Sequence, residues 1–275
     1  MSAKKTVVII GPNGMLGQMA VDYFSKREYE TIPIQMRFEE NTKWDFIDSI
    51  NKQEKCIVIN CIGRIKQKTD DERDLLWSNT VLPLALSAHL KPSIHLIHPS
   101  TDCVYDGQTN VPYDTDFAPN ARDSYGWSKI LAEKAVLGRP NSYIMRVSII
   151  GPDKNPKGKG LLAWFLSNPS KSRLKGYVNH HWNGITTLEW CIQAEKIIQN
   201  LNPIQEPCRL LQLGTTENHT KLGMLELFQK HFHTDFQIDS FTSSECIDRR
   251  LKPSVECKTL SEQLIELKPF ISIRQ

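Results

Sequence analysis

Short apolar runs alternate, along the first 150 residues, with segments whose apolar positions recur at helical spacing. The run Thr6 to Ile10 (TVVII) is apolar or β-branched at every position, which predicts a central strand buried on both faces. Further strands are predicted over about Glu30 to Gln35, Cys56 to Cys61, Ile94 to Pro99 and Ser142 to Ile150. Helices are predicted between them: from the glycine turn after Ile10 to about Lys26, over Ile47 to Lys52, over Glu72 to Leu90, and around Tyr125 to Ala135. This alternation predicts an α/β fold, a Rossmann-type doubly wound parallel sheet with helices on both faces.

Beyond Gly151 the pattern loosens. Asp153 to Gly160, rich in Lys, Gly and Pro, reads as a mobile loop, and Leu161 to Leu166 as a short amphipathic helix. Lys175 to Thr187 reads as irregular, Glu189 to Gln199 as helix, Arg209 to Leu213 as strand and Leu222 to His231 as helix. Two units are therefore expected. One is a dinucleotide-binding domain over 1–150, with 186–213 returning to it; the other is a smaller C-terminal unit built from 151–185 and 214–275.

Composition narrows the function. Hydrophobic residues make up 40% and charged residues 24% of the 275-residue chain, which fits a globular protein with a sizeable core. A net charge of +3 without a long basic run argues against a nucleic-acid partner. The seven cysteines are scattered, odd in number and never spaced as CxxC, which favours reduced thiols. With no signal-type leader and no apolar stretch near the ~18 residues a bilayer needs, no membrane contact and a cytoplasmic location are expected.

The candidate chemistry begins at Gly11-Pro-Asn-Gly14-Met-Leu-Gly17, between the first strand and the first helix. Gly11 suits a tight turn, Gly14 a close approach of backbone to a diphosphate, and Gly17 tight packing of the helix. The helix N-terminus would present N–H groups and a positive dipole end to phosphate. A plain strand–helix turn is the competing reading. Arg37 stands where an NAD site usually carries an acidic residue, so a 2′-phosphate, and with it NADPH, is favoured over NADH. Asp45 either meets an adenine amine or caps the helix that follows. Ile62 and Gly63 end the third strand, where a cofactor ribose and nicotinamide would lie. Asn79, a poor helix former in mid-helix, is either exposed or holds the neighbouring loop.

Tyr125 and Lys129 are four apart on a predicted helix and so share one face. A phenol with a pKa of about 10 exchanges protons poorly at neutral pH. A nearby ammonium would favour the phenolate, and the Thr101 hydroxyl could hold a carbonyl oxygen. That is a ketone-reduction site, although Tyr-x-x-x-Lys by itself also arises on ordinary surface helices. His180 with His181, and His231 with His233, lack a third ligand at useful spacing, so no metal site is expected.

With these residues in place, the chain resembles the extended short-chain dehydrogenases/reductases, and within them the dTDP-4-dehydrorhamnose reductase branch of nucleotide-sugar enzymes. The resemblance rests on GPNGMLG (11–17), WDF (44–46), NCIG (60–63), Asn79, STDCVYDG (100–107), YGWSK (125–129), RVSIIG (146–151), WNGITTLE (182–189) and Arg249-Arg250-Leu251. It implies Thr101, Tyr125 and Lys129 as catalytic residues. Tyr125 would be the acid, Lys129 would hold the nicotinamide ribose and lower the Tyr125 pKa, and Thr101 would orient the ketone. Implied cofactor contacts are Gly11, Asn13, Gly14, Met15, Leu16, Gly17, Arg37, Asp45, Phe46, Cys61, Ile62, Gly63 and Asn79, together with Tyr125 and Lys129. Asp102, Cys103, Trp182 and Arg249 would line the sugar-nucleotide pocket, although a buried indole and a surface salt bridge are equally simple readings of the last two. The implied activity is NAD(P)H-dependent reduction of the C4 ketone of a nucleotide-activated 4-keto-6-deoxy sugar, serving surface polysaccharide synthesis, in a chain that could form a homodimer. Two alternatives stay open: an epimerase or dehydratase, which Cys103 in place of a glutamate disfavours, and a non-catalytic NADP-binding regulatory subunit. Cys103 and the HHWNGITT stretch depart from the rhamnose pattern, which leaves the sugar unnamed.

Overall fold

The computed structural model describes residues 4–53, 55–66, 69, 71–154, 160–202 and 206–271. Its first half runs β1 (Lys5–Ile10), α1 (Met15–Phe24), β2 (Tyr29–Ile34), α2 (Asp45–Asn51) and β3 (Cys56–Asn60). One helical rod follows, made of α3 (Glu72–Leu76), a π-helical turn (Trp77–Val81) and α4 (Leu82–His89). Then come β4 (His95–Pro99), α5 (Ser124–Leu137) and β5 (Ser142–Arg146). These strands join β10 (Arg209–Gly214) and β14 (Val255–Glu256) in a seven-stranded parallel sheet ordered β14-β10-β5-β4-β3-β1-β2. The chain leaves β1 for β2 on one side and returns to β3 on the other, so the C-terminal ends of β1 and β3 flank a crevice suited to a ligand.

The period-two strands sort their side chains between two cores. Val7 and Ile9 pack with Met19, Tyr23 and Trp190 on one face, and Val8 and Ile10 with Ile47, Ile50, Leu82 and Leu86 on the other. Behind the ends of β4 and β5, Glu133 of α5 and Arg146 of β5 form an ion pair at 2.7 Å, each side chain 3% exposed. Glu133 also accepts the Ser100 hydroxyl at 2.6 Å, and Arg146 donates to the Tyr105 hydroxyl oxygen at 2.6 Å.

The remaining elements are α6 (Leu161–Ser167), β7 (Arg173–Tyr177), β8 (His180–Trp182), β9 (Ile185–Thr186), α7 (Thr187–Gln199), β11 (His219–Thr220), α8 (Lys221–Phe232), β12 (Gln237–Phe241), β13 (Ile247–Asp248) and α9 (Leu260–Leu267), with β6 (Ile149–Ile150) just after β5. Several expectations are corrected here. The strand expected to run to Ile150 stops at Arg146, whose side chain turns inward to Glu133, and β6 pairs with β9 instead. The stretch Lys175 to Thr187, read as irregular, carries β8, β9 and the end of β7; β7 pairs with β12 and β8 with β11 and β13, partners far away in sequence. Part of the loop expected between Asp153 and Gly160 lies outside the described residues.

Replacing Arg146 by Met would strand the Glu133 carboxylate in the interior and should cost about 3–5 kcal/mol. Urea unfolding reads this. A midpoint equal to the parent's would remove the ion pair from the account.

Candidate active site

At the end of β1 the backbone turns at Gly11 with φ +80°. A Cβ there would lie 2.6 Å from the Ile62 side chain, and one on Gly17 would lie 2.0 Å from the Gly11 oxygen. The fold itself thus demands these two glycines. Gly14 differs, because a Cβ would meet only two backbone oxygens, each at 3.8 Å, so the protein leaves an open cradle there. Gly14 is also the N-cap of α1 and makes no side-chain cap, so the first N–H groups of the helix face that cradle unshared. Asn13 is exposed beside it, while Leu16 packs inward against the core.

The other end of the crevice is more open. Arg37, after β2, is exposed and ion-paired with Glu39. Phe46 stacks on Trp44, which lies edge-on to buried Phe38. Asp45 does not cap α2: Trp44 holds the N-cap position, and Asp45 is an exposed first-turn residue.

Cys61, Ile62 and Gly63 follow β3, with Cys61 N–H donating to the Ile10 oxygen at 2.9 Å. Asn79 secures this loop. Its Oδ1 accepts Arg64 N–H at 2.8 Å, and its Nδ2 donates to the Arg64 oxygen and to Ser128 Oγ, each at 2.9 Å. Ser128 Oγ in turn donates to the Tyr125 oxygen at 2.7 Å. Asn79 is 1% exposed, so of its two readings the loop-holding one is observed. The π-helical turn that carries it, and Ser128 as its partner, were not foreseen.

Thr101, Tyr125 and Lys129 meet at the C-terminal end of β4. Thr101 Oγ1 accepts Cys103 N–H and donates to Asp102 Oδ1, both at 3.1 Å, and lies close enough to the Tyr125 hydroxyl to act on its proton. Asp123 starts α5 by accepting Gly126 N–H at 2.8 Å, which sets Tyr125 and Lys129 on successive turns. Lys129 Nζ donates to the Pro99 oxygen at 2.8 Å and faces His98 Nε2 at 3.5 Å.

The electrostatics amend one expectation. Burial raises the Tyr125 pKa far above that of a free phenol; Cys103 adds to this, and the Thr101 hydrogen bond opposes it. Lys129, whose ammonium donates to the Pro99 carbonyl, is not among these leading influences. Tyr125 is thereby held protonated, as a donor requires. Burial lowers Lys129 to about 8 against the pull of Glu133.

On the far side of Thr101, burial raises the Asp102 carboxyl, with Arg249 and Lys221 acting the other way. Burial likewise pushes the Cys103 thiol up to about 12. Arg249 Nε donates to the Tyr105 oxygen at 2.9 Å. The β11-β8-β13 sheet brings Arg249, just past β13, and Lys221, the first residue of α8, to this side. Lys221 was missed, although a lysine at the positive end of a helix dipole is a signal worth reading. Trp182 is a core indole, 3% exposed, whose Nε1–H donates to Ser148 Oγ at 2.8 Å. It approaches the site through Ser148, whose hydroxyl helps to lower the Asp102 carboxyl. His180 stacks on Tyr177 and pairs with Ser243, and His231 pairs with Ser261. Among the described residues, no group of three His, Cys, Asp or Glu is placed to hold a metal ion, and no helix is long and apolar enough to cross a membrane.

Residues 5–172, more than half of the chain, match the RmlD substrate binding domain. The chain belongs to the RmlD family. It is 27% identical over 147 residues to a probable dTDP-4,6-dihydroxy-2-methyloxan-3-one 4-ketoreductase of Streptomyces antibioticus, covering 51% of this chain and 50% of that one. It is 24% identical over 165 residues to the methionine adenosyltransferase 2 subunit beta of Danio rerio, covering 53% and 48%. The aligned part thus spans about half the length of the curated relatives it matches. The fold superposes with a TM-score of 0.82 on the Bacillus anthracis dTDP-4-dehydrorhamnose reductase in complex with NADP, at 15% identity, over 98% of this chain and 100% of that one. The RmlD-family chain therefore shares the α/β fold of that structure.

Lys129 offers a test free of any ligand. Its folded pKa, about 8, lies below the ordinary 10.5, so the folded state resists the charged form. Stability should rise with pH between those two values as the folded state sheds the proton first. The stability difference between parent and Lys129→Met should accordingly change by on the order of 2–3 kcal/mol from pH 7 to pH 10.5. Parallel pH curves for the two proteins would show that the lysine is not desolvated.

Proposed function

We propose that the protein reduces the C4 ketone of a nucleotide-activated 4-keto-6-deoxy sugar with NADPH. The observation that carries this reading is the convergence of Thr101, Tyr125 and Lys129 at the end of β4, beside a glycine cradle at the end of β1. The cradle fits a dinucleotide: Gly14 leaves room that a side chain would fill, and the uncapped start of α1 suits a diphosphate. Arg37, once released from Glu39, is the residue to meet a 2′-phosphate; Asp45 and Phe46 are placed for the adenine side. Cys61 to Gly63 and the loop held by Asn79 would border the nicotinamide end. When bound, the cofactor supplies hydride.

The chain's own residues do the rest. Thr101 positions the ketone oxygen through its hydroxyl. Tyr125, kept protonated by burial, gives its proton to that oxygen. Lys129, seated on the Pro99 carbonyl, holds its ammonium at the same end of the cleft for the ribose hydroxyls. Lys221 and Arg249, with Asp102 between them, provide a positive excess suited to the anionic part of a nucleotide sugar. The segments 151–185 and 214–275 would then form the substrate side of the cleft.

A second reading, a non-catalytic subunit of a larger enzyme, is favoured by the likeness to the methionine adenosyltransferase subunit. Retention of Thr101, Tyr125 and Lys129 together favours the enzyme.

The test is NADPH oxidation by the pure protein with a panel of 4-keto-6-deoxy nucleotide sugars. Turnover with at least one is expected; cofactor binding without turnover on any, and stable co-purification with a larger enzyme, would favour the subunit. Tyr125→Phe should lower kcat about 100- to 10,000-fold and leave NADPH affinity intact. Lys221→Met should raise KM for the sugar nucleotide about tenfold or more, as expected for losing one charged hydrogen bond. An unchanged kcat in the first, or KM in the second, would strike that residue from the proposal.

A further inference from the structure

His98 lies on β4 directly behind Lys129, and nothing in the proposed reduction uses it. It is 1% exposed, Asn60 is fully buried and Lys129 is 6% exposed. The Asn60 side-chain oxygen accepts Ile62 N–H at 3.2 Å, which leaves the amide nitrogen facing His98 Nδ1, 3.4 Å away. An amide NH2 donates and cannot accept, so this contact calls for a bare Nδ1 and places the ring proton on Nε2. Nε2, however, faces Lys129 Nζ at 3.5 Å. An N–H there suits a neutral amine and repels an ammonium, which calls for a bare Nε2. Whenever Lys129 is charged, its two neighbours ask the ring for opposite tautomers.

A second ring proton does not resolve the conflict. Burial, and then the Lys129 charge, hold His98 well below the usual histidine range. The other groups around the pair are fixed. Glu133, from the same helix, acts on Lys129 but is bound to Arg146 of β5 and to Ser100. Tyr125, one turn back on α5, is held protonated, and Asn60 is the neighbour from β3.

We propose that His98 is a positioning residue whose tautomer follows the proton on Lys129. With Lys129 charged, the ring is Nδ1–H and its bare Nε2 accepts from the ammonium. With Lys129 neutral, the ring is Nε2–H and its bare Nδ1 accepts from Asn60. Between the two states Nζ loses one proton to solvent, and the ring keeps one proton, moved from Nδ1 to Nε2. The neutral state satisfies both ring nitrogens, whereas the charged state keeps the bond from the ammonium and gives up the one from Asn60. The ring thereby supports Nζ against the Pro99 carbonyl in both protonation states. The catalytic consequence rests on the reductase reading; the proton positions rest on the geometry alone.

The experiment is nitrogen NMR of the full ligand-free chain labelled with 15N-histidine, recorded from about pH 6.5 to 9.5, around the lowered lysine value. His98 is assigned by its loss in His98→Gln. The two ring nitrogens should exchange N–H and bare-nitrogen shifts through a midpoint near pH 8, the value to which burial holds Lys129. In Lys129→Met the ring should stay Nε2–H throughout. A tautomer that ignores pH, an imidazolium signal, or an exchange that persists in Lys129→Met overturns the proposal. As a kinetic arm, His98→Phe should lower kcat about 10- to 100-fold with little change in KM, the mark of a misplaced catalytic group. If no sugar is turned over, the NMR arm still decides the question.

Discussion

A carboxylate buried in a helix fixes how that helix sits on the sheet. Glu133 is bound on one side by Arg146 from β5 and on the other by Ser100 from the end of β4. This clamps α5 to the sheet at one rotation only, because a buried charge that slips from its partner is heavily penalised. Lys129 lies one turn before Glu133 and Tyr125 two turns before it, so the same clamp sets Lys129 on the Pro99 carbonyl and Tyr125 beside Thr101. Ser100 and Thr101 are adjacent, so the segment that carries the third group is held by the same carboxylate.

Around that clamp the protein hardens one wall of the cleft and leaves another adaptable. Asn79 ties the loop after β3 to α5 through Arg64 and Ser128, so the end of β3 and the start of α5 cannot drift apart. Arg37, by contrast, is exposed and, among the described residues, ion-paired with its near neighbour Glu39. Exposed pairs of that kind hold little energy, and a phosphate could displace Glu39 at small cost.

The first half of the fold was legible because its signals are local. TVVII, the glycine turn and the helical repeats each declare themselves within a dozen residues, and the strand–helix alternation then leaves few topologies. The C-terminal part was not, because β7, β8 and β9 are short and pair with strands far away in sequence. One element there was readable and was passed over: Thr259 and Glu262 form a capping box ahead of Leu260, Leu264 and Leu267, which declares α9. In the cleft, residue types at set spacing picked out Tyr125 and Lys129 but said nothing of their surroundings. The lysine was expected to act on the phenol, whereas burial governs that phenol and the lysine is bonded to Pro99. His98 becomes visible only when the chain is folded, since it belongs to no local motif, whereas Lys221 had the weak signal of its place at a helix start.

In the proposed reduction, hydride and proton arrive at one carbon–oxygen bond held between Thr101 and Tyr125. Its most direct measurement is isotopic: NADPH carrying deuterium at the reactive nicotinamide carbon is supplied with a 4-keto-6-deoxy nucleotide sugar, and the product is analysed by mass spectrometry and NMR. A single deuterium is expected at the former carbonyl carbon. Unlabelled sugar, recovered from protein that demonstrably binds both ligands, would contradict it.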